Sequence, residues 1–246
     1  MHRPRGAISS HLGAEFATLA CMSDTVLTYL DTYCERASAA GVLAEPLNAI
    51  TNLCFIAVAL WVALRLRRSA SAHIFRPDLW LLPLFLCSIG IGSGLWHTLP
   101  THTTMLLDVI PIGLFVQLYL VSAYRRLIGY PWLGALVVWS LFVAVTLVAQ
   151  KTLPPTLLNG TVMYLPPYSF LVLLTLQLAR RGHAATRTLA GALAIWTVSL
   201  VCRTFDQAIC PNFPLGTHFL WHTLNALTLW RLMLPLVPVR SAPQPA

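Results

Sequence analysis

The sequence predicts an all-α membrane protein: a polytopic bundle of seven transmembrane helices, N-terminus outside and C-terminus cytoplasmic. Composition, segment length and arginine placement predict it. Hydrophobic residues make up 57% of the 246 and charged residues only 10%, where a soluble domain carries roughly 25% charged. Mean hydropathy is +0.70. Sixteen basic and eight acidic side chains cannot cover so much apolar bulk with a water-soluble surface. The same composition excludes intrinsic disorder. A net charge of +8 does not point to nucleic acid here, because basic residues collect in the cytoplasmic loops of membrane proteins.

A span needs about 20 apolar residues, and seven segments offer them in order. The first, 47–66, follows Glu45 and opens on Asn48 and Asn52. The second, 79–99, carries Ser93 and His97 in its last turns. The third, 103–123, has Asp108 near its start, and the fourth, 132–149, is almost wholly apolar. The fifth, 160–179, contains Pro166 and Pro167 and is expected to kink there. The sixth, 188–209, is clean only from Leu189 to Cys202 and ends with Arg203 and Asp206. The seventh, 215–235, has His218 and His222 in its first turns. Short connections indicate a single seven-helix domain over 31–236, between a tail of residues 1–30 and a C-terminal tail of 237–246. Residues 1–30 show no apolar core or cleavage site of a secretory signal, so the helices themselves are expected to drive insertion.

Arginines orient the bundle. Arg65, Arg67, Arg68, Arg76, Arg125, Arg126, Arg180, Arg181, Arg187, Arg231 and Arg240 all fall at one end, whereas the opposite loops offer little beyond Lys151. The positive-inside rule puts the arginine-rich end in the cytoplasm.

Antiparallel threading then gathers the polar residues at the other, outer end. Ionisable groups within spans are rare and usually functional. His218 and His222 are four apart and share a helix face; His97 reaches the same depth from the second span. Three histidines with an open fourth position suit a catalytic zinc. Against this stand three interfacial histidines that face water or cap neighbouring helices. Ser93, four before His97, lies on that face; its hydroxyl has either the metal site or the carbonyl four residues back as partner. Asp108 has several readings open to it: general base on metal-bound water, orienter of a ligand histidine, partner of Arg203, or a carboxylate high enough in the span to reach water. Arg203 and Asp206, three apart, are expected to pair along their helix. Cys54, Cys87 and Cys202 read as core, whereas Cys34 and Cys210 lie on the outer side, where oxidising conditions favour disulfides.

Together these pieces resemble the alkaline ceramidase family, within a wider group of seven-helix membrane hydrolases that includes the progestin and adipoQ receptors. The resemblance rests on Tyr-Cys-Glu at 33–35, Ala-Glu-Pro-Leu-Asn-Ala-Ile-Thr-Asn at 44–52, Gly-Ser-Gly-Leu-Trp-His at 92–97, Asp108, and Gly-Thr-His-Phe-Leu-Trp-His at 216–222. It runs from about residue 31 to 230. It implies a zinc-dependent amidase cleaving the N-acyl bond of ceramide. His97, His218 and His222 would hold Zn2+, Asp108 would accept the proton of water, and Ser93 would help hold the oxyanion. It also implies a Cys34–Cys210 disulfide. For the family's calcium site the fit is poorer. Asp31, Glu35 and Glu45 are the available Ca2+ ligands, but Thr32 stands where the family has Asp and Ala37 where it has Asn.

The expected partners are therefore the bilayer and a ceramide-like lipid entering laterally, with no nucleic acid and no obligate protein partner. The membrane would be a bacterial plasma membrane or a eukaryotic ER or Golgi membrane, with the site toward the non-cytoplasmic face. Two alternatives remain at this stage: a hydrolase of another acyl lipid, and a non-enzymatic receptor with structural zinc. A transporter is disfavoured, because the polar groups crowd one end and leave no continuous path.

Overall fold

The structure is a computed structural model and describes residues 33–36, 44–68 and 76–237. Every regular element among them is helical. In chain order the α-helices are α1 (Pro46–Thr51), α2 (Leu53–Arg68), α3 (Pro77–Thr98), α4 (His102–Ala123), α5 (Trp132–Thr152), α6 (Leu165–Arg180), α7 (Thr186–Phe205) and α8 (His218–Met233), and a π-helical turn over Tyr124–Ile128 extends α4. The tail of residues 1–30, Asp31 and residues 238–246 lie outside the described residues.

Six helical stretches are long and apolar enough to cross a membrane: 46–68, 77–98, 102–128, 132–152, 161–180 and 186–205. The protein is thus an integral membrane protein. The seventh segment is shorter than expected. It is regular only over His218–Met233, about 24 Å at 1.5 Å per residue. Pro214 and the left-handed Gly216 (φ +64°) delay its start, and Pro235 lies just beyond its end.

The Pro166-Pro167 pair does not kink a helix, contrary to expectation. A 3-10 turn over Thr161–Tyr164 leads into α6, and both prolines fall in its first turn. Amide groups there have no intrahelical acceptor, so proline's missing N–H costs nothing. The start of α4 is held by a reciprocal cap. Thr101 Oγ1 accepts from the Thr104 amide (3.2 Å), and Thr104 Oγ1 accepts from the Thr101 amide (2.9 Å).

The bundle interior is packed with Phe55, Leu82, Leu86, Phe115, Leu174 and Leu189. Its outside is apolar as well: Leu133 is 74% exposed and Trp132 61%. In water this would be a costly surface; among lipid chains it is the expected one. The most peripheral helix is α5, which buries only Ala135 and Phe142.

One close approach sets the geometry of the half that bears His97. A Cβ placed on Gly92 would overlap the Leu107 carbonyl of α4. Only glycine lets α3 and α4 meet there, and the contact places Ser93 beside Asp108. A Cβ on Gly94, by contrast, would meet nothing nearer than the Ala49 carbonyl at 3.9 Å. Gly92→Ala should therefore cost about 1–3 kcal/mol through overpacking, while Gly94→Ala should be tolerated. Thermal unfolding in detergent compares them, and equal losses would refute the close-approach account.

Candidate metal centre and active site

His97 comes from the last turn of α3, and His218 and His222 from the first turns of α8. All three are buried, at 1–2% exposure. Their available ligand atoms lie within 4.8 Å of one another. The ring centroids are 4.6–5.2 Å apart. Among the described residues this is the group able to hold a metal ion.

The hydrogen bonds around the rings suit metal ligation. His97 Nδ1 lies 2.5 Å from Glu45 Oε2. A carboxylate acceptor puts the proton on Nδ1 and leaves Nε2 free to coordinate. His222 Nδ1 lies 3.0 Å from Thr51 Oγ1. That hydroxyl donates to the Leu47 carbonyl (2.8 Å), so its oxygen is left to accept from Nδ1–H, and Nε2 is again free. His218 Nδ1 is buried with no hydrogen-bond partner. Three imidazoles, two of them with their tautomers set and the third with an orphaned nitrogen, fit a divalent cation of zinc's type.

Glu45 is buried and central. Besides His97 it accepts from Arg36 Nε and from Asn48 Nδ2 (3.1 Å). Burial would push its carboxyl up, but the His97, Arg36 and Asn48 bonds outweigh this and hold it below the usual carboxylate value. Arg36 also donates to the His97 carbonyl (3.2 Å). Glu35 plays a different part. Its two oxygens accept from the Leu47 and Asn48 amides (2.7 and 2.8 Å), which caps the start of α1 at its positive end. Of the three residues suggested for calcium, Glu35 and Glu45 thus serve protein donors here, and Asp31 lies outside the described residues. Asn48 and Asn52 are buried within the same network, Asn52 Nδ2 donating to the Asn48 carbonyl (2.8 Å).

The expected Arg203–Asp206 pair does not form. Helix α7 ends at Phe205 and Asp206 keeps helical dihedrals as its C-cap (φ −47°, ψ −57°), so the spacing holds but the carboxylate is taken by other donors. The fully buried Asp206 instead accepts from the Thr217 amide (2.6 Å) and the His218 amide (2.9 Å) on Oδ1, and from the Cys34 amide (3.2 Å) on Oδ2. It caps α8 from eleven residues away. Cys34 and Cys210 are joined, with Cα atoms 5.4 Å apart, inside the disulfide range. A Cβ on Gly216 would strike Asp206 and Cys34, so its positive φ and its lack of a side chain are both required.

A cavity of about 130 Å³ opens beside the histidines, lined by Ser93, Asp108, Arg203, His218 and His222 among others. The Ser93 hydroxyl is hydrogen-bonded to the Asp108 carboxylate. Arg203 makes no ion pair with Asp108 among the described residues. Its guanidinium lies over the rings of Tyr164 (5.6 Å) and Trp221 (5.4 Å) and bonds to Tyr33.

Tyr33 and Tyr164 were not singled out in the sequence as site residues, yet both line this cavity. The Tyr33 ring rests 4.1 Å from His218 and 4.9 Å from His97, centroid to centroid, and its hydroxyl accepts from Trp96 Nε1 (3.3 Å). Burial pushes its phenol up to about 12, so it stays protonated and able to donate. Its position next to Cys34 was the available signal.

A second, apolar cavity of about 70 Å³ adjoins the first. The two share Phe55, Ile89, Ile112, Tyr164 and Asn225, and the second continues among Phe115, Val116, Phe142, Phe170 and Leu174 toward the arginine-rich end.

Fold and site together define a membrane-embedded helical protein with a buried histidine centre at the head of an apolar cavity. The chain belongs to the ceramidase family: the family model described as Ceramidase matches residues 30–242. Membership implies an amidase hydrolase acting on a lipid substrate in a membrane. Among curated proteins, none matches the chain.

Metal content provides the first test of the site. His218→Ala should abolish stoichiometric binding of a divalent metal in purified protein, as read by elemental analysis. Glu45→Gln should keep the site but weaken it about 10–100-fold, measured by chelator competition. Unchanged affinity would remove Glu45 from its orienting role.

Proposed function

We propose that this chain is a zinc-dependent amidase that hydrolyses the N-acyl bond of ceramide, releasing a sphingoid base and a fatty acid. What carries the proposal is the continuity of two unlike spaces. A polar cavity beside the three histidines runs into an apolar cavity between helices. A ceramide has matching halves: an amide and hydroxyls at one end, hydrocarbon chains at the other. A purely structural metal needs a closed ligand shell, and an open cavity beside Ser93 and Asp108 supports catalysis instead.

In this mechanism His97, His218 and His222 hold the ion. Zinc, when bound, supplies electrophilic polarisation and acidifies water. Asp108 takes the proton of the attacking water and passes it to the leaving amine. The Ser93 hydroxyl holds Asp108 in place before reaction and donates toward the oxygen that gains charge. The apolar lining holds the acyl chain and keeps bulk water out.

We further infer that α8 and its flanking turns complete a seventh span within one hydrolase domain. The arginine-rich end would then be cytoplasmic by the positive-inside rule, and the site would face the opposite side.

Asp108→Asn should retain zinc but lose roughly 10²–10⁴-fold in turnover. Mass spectrometry of fatty-acid release from ceramides, N-acyl amines and esters reads this, with His97→Ala as the blank. Full activity in Asp108→Asn would remove Asp108 as the base, and release only from another lipid would overturn ceramide as substrate. Val116 lies eight residues below Asp108 on α4, about 12 Å along the helix. Val116→Phe should lower kcat/KM for long acyl chains more than for short ones; an equal effect across chain lengths would mean the chain lies elsewhere.

A further inference from the structure

A third cavity lies at the opposite end of the bundle from the histidines. Its volume is about 660 Å³, and it opens where α3 begins, α4 ends and α5 begins. Arg76, Arg125, Arg126 and Asp78 border it, three positive charges against one negative. Asp78 is occupied with Arg126, accepting Nε at 2.9 Å and Nη2 at 2.8 Å. Arg125 is positioned without being neutralised: Nη1 donates to the Tyr130 carbonyl, and the guanidinium lies 4.5 Å above the Trp132 ring. Arg76 has no acidic partner among the described residues. Two positive charges therefore remain unbalanced at the mouth.

The walls are of another kind. Leu118 and Leu236 line the cavity, and Leu118 lies eight residues before Arg126 on the same helical run, about 12 Å deeper. A small anion would satisfy the mouth and leave this apolar depth unfilled. An anion carrying hydrocarbon chains satisfies both. The planar, forked guanidinium also matches phosphate geometry.

We propose that this cleft binds one anionic phospholipid, its phosphate between Arg76 and Arg125 and a chain along Leu118. None of these residues borders the cavity beside the histidines, so the site is separate from the proposed catalytic one.

The test uses the full chain, delipidated in neutral detergent and titrated with phosphatidylglycerol or phosphatidylcholine of identical chains. Native mass spectrometry counts the lipids retained. One phosphatidylglycerol per chain is expected, bound at least about ten-fold more tightly than phosphatidylcholine. Reversing the charge in Arg76→Glu should weaken retention by about ten-fold or more, Arg76→Lys, which keeps the charge but loses the fork, should fall between Arg76→Glu and the parent, and equimolar inorganic phosphate should not displace the lipid. Equal retention of the two lipids, an unaffected Arg76→Glu, or displacement by phosphate would each overturn the proposal. Zinc content and amide hydrolysis by Arg76→Glu should match the parent, which separates failure at this cleft from failure of the catalytic proposal.

Discussion

Asp206 is the residue through which the histidine-bearing half of the molecule is joined. A fully buried carboxylate needs donors to offset its lost hydration, and three backbone amides supply them. Two open α8 and one belongs to the N-terminal segment, so one side chain clamps the end of α7, the start of α8 and Cys34. The Cys34–Cys210 bond reinforces the same junction covalently. From that clamp follow the seating of Tyr33 on the histidine rings, the reach of Glu35 to cap α1, and the placement of the Arg36–Glu45 pair behind His97.

A second constraint acts from the opposite wall. The α3–α4 contact at Gly92 allows no side chain, and it sets Ser93 against Asp108. One wall of the polar cavity is thus positioned by a buried charge and the other by the absence of a Cβ. Two of the three histidines, His97 and His222, are then oriented by what lies behind them. Glu45 and Thr51 both come from the stretch that opens the first span, so α1 sets two histidines borne by α3 and α8. A site assembled from several separate elements in this way depends on the whole bundle being folded.

The two ends of the bundle differ in what they hold. The histidine end is tightly bonded and leaves a small polar cavity continuous with an apolar one. The arginine end leaves a wider cleft whose positive charges outnumber its negative ones. Apolar helices between them bury little on the α5 side and present leucines and valines outward. Such a surface belongs in lipid, the solvent that also carries the family's substrates.

Much of this was legible in the chain itself. Composition alone demanded a membrane, because 24 charged side chains cannot solvate 246 residues of this hydropathy. Alternation of arginine-rich loops ordered the helices, and helical spacing put His218 and His222 on one face. Threading then brought His97, Ser93 and Asp108 to the same end. Where spacing along one helix was the only guide, the sequence misled. Arg203 and Asp206 are three apart on helical backbone, but a backbone amide cluster in the folded protein competes better for the carboxylate than a neighbouring guanidinium. Pro166 and Pro167 looked like a kink because the turn preceding them was not visible as a helix start. Tyr33 and Glu45 acquired their contacts with the histidines only through long-range packing. Local sequence determines periodicity, span and depth, because these depend on residues a few positions apart. Which buried charge meets which donor depends on groups brought together from up to 172 positions away, and only the tertiary structure decides it.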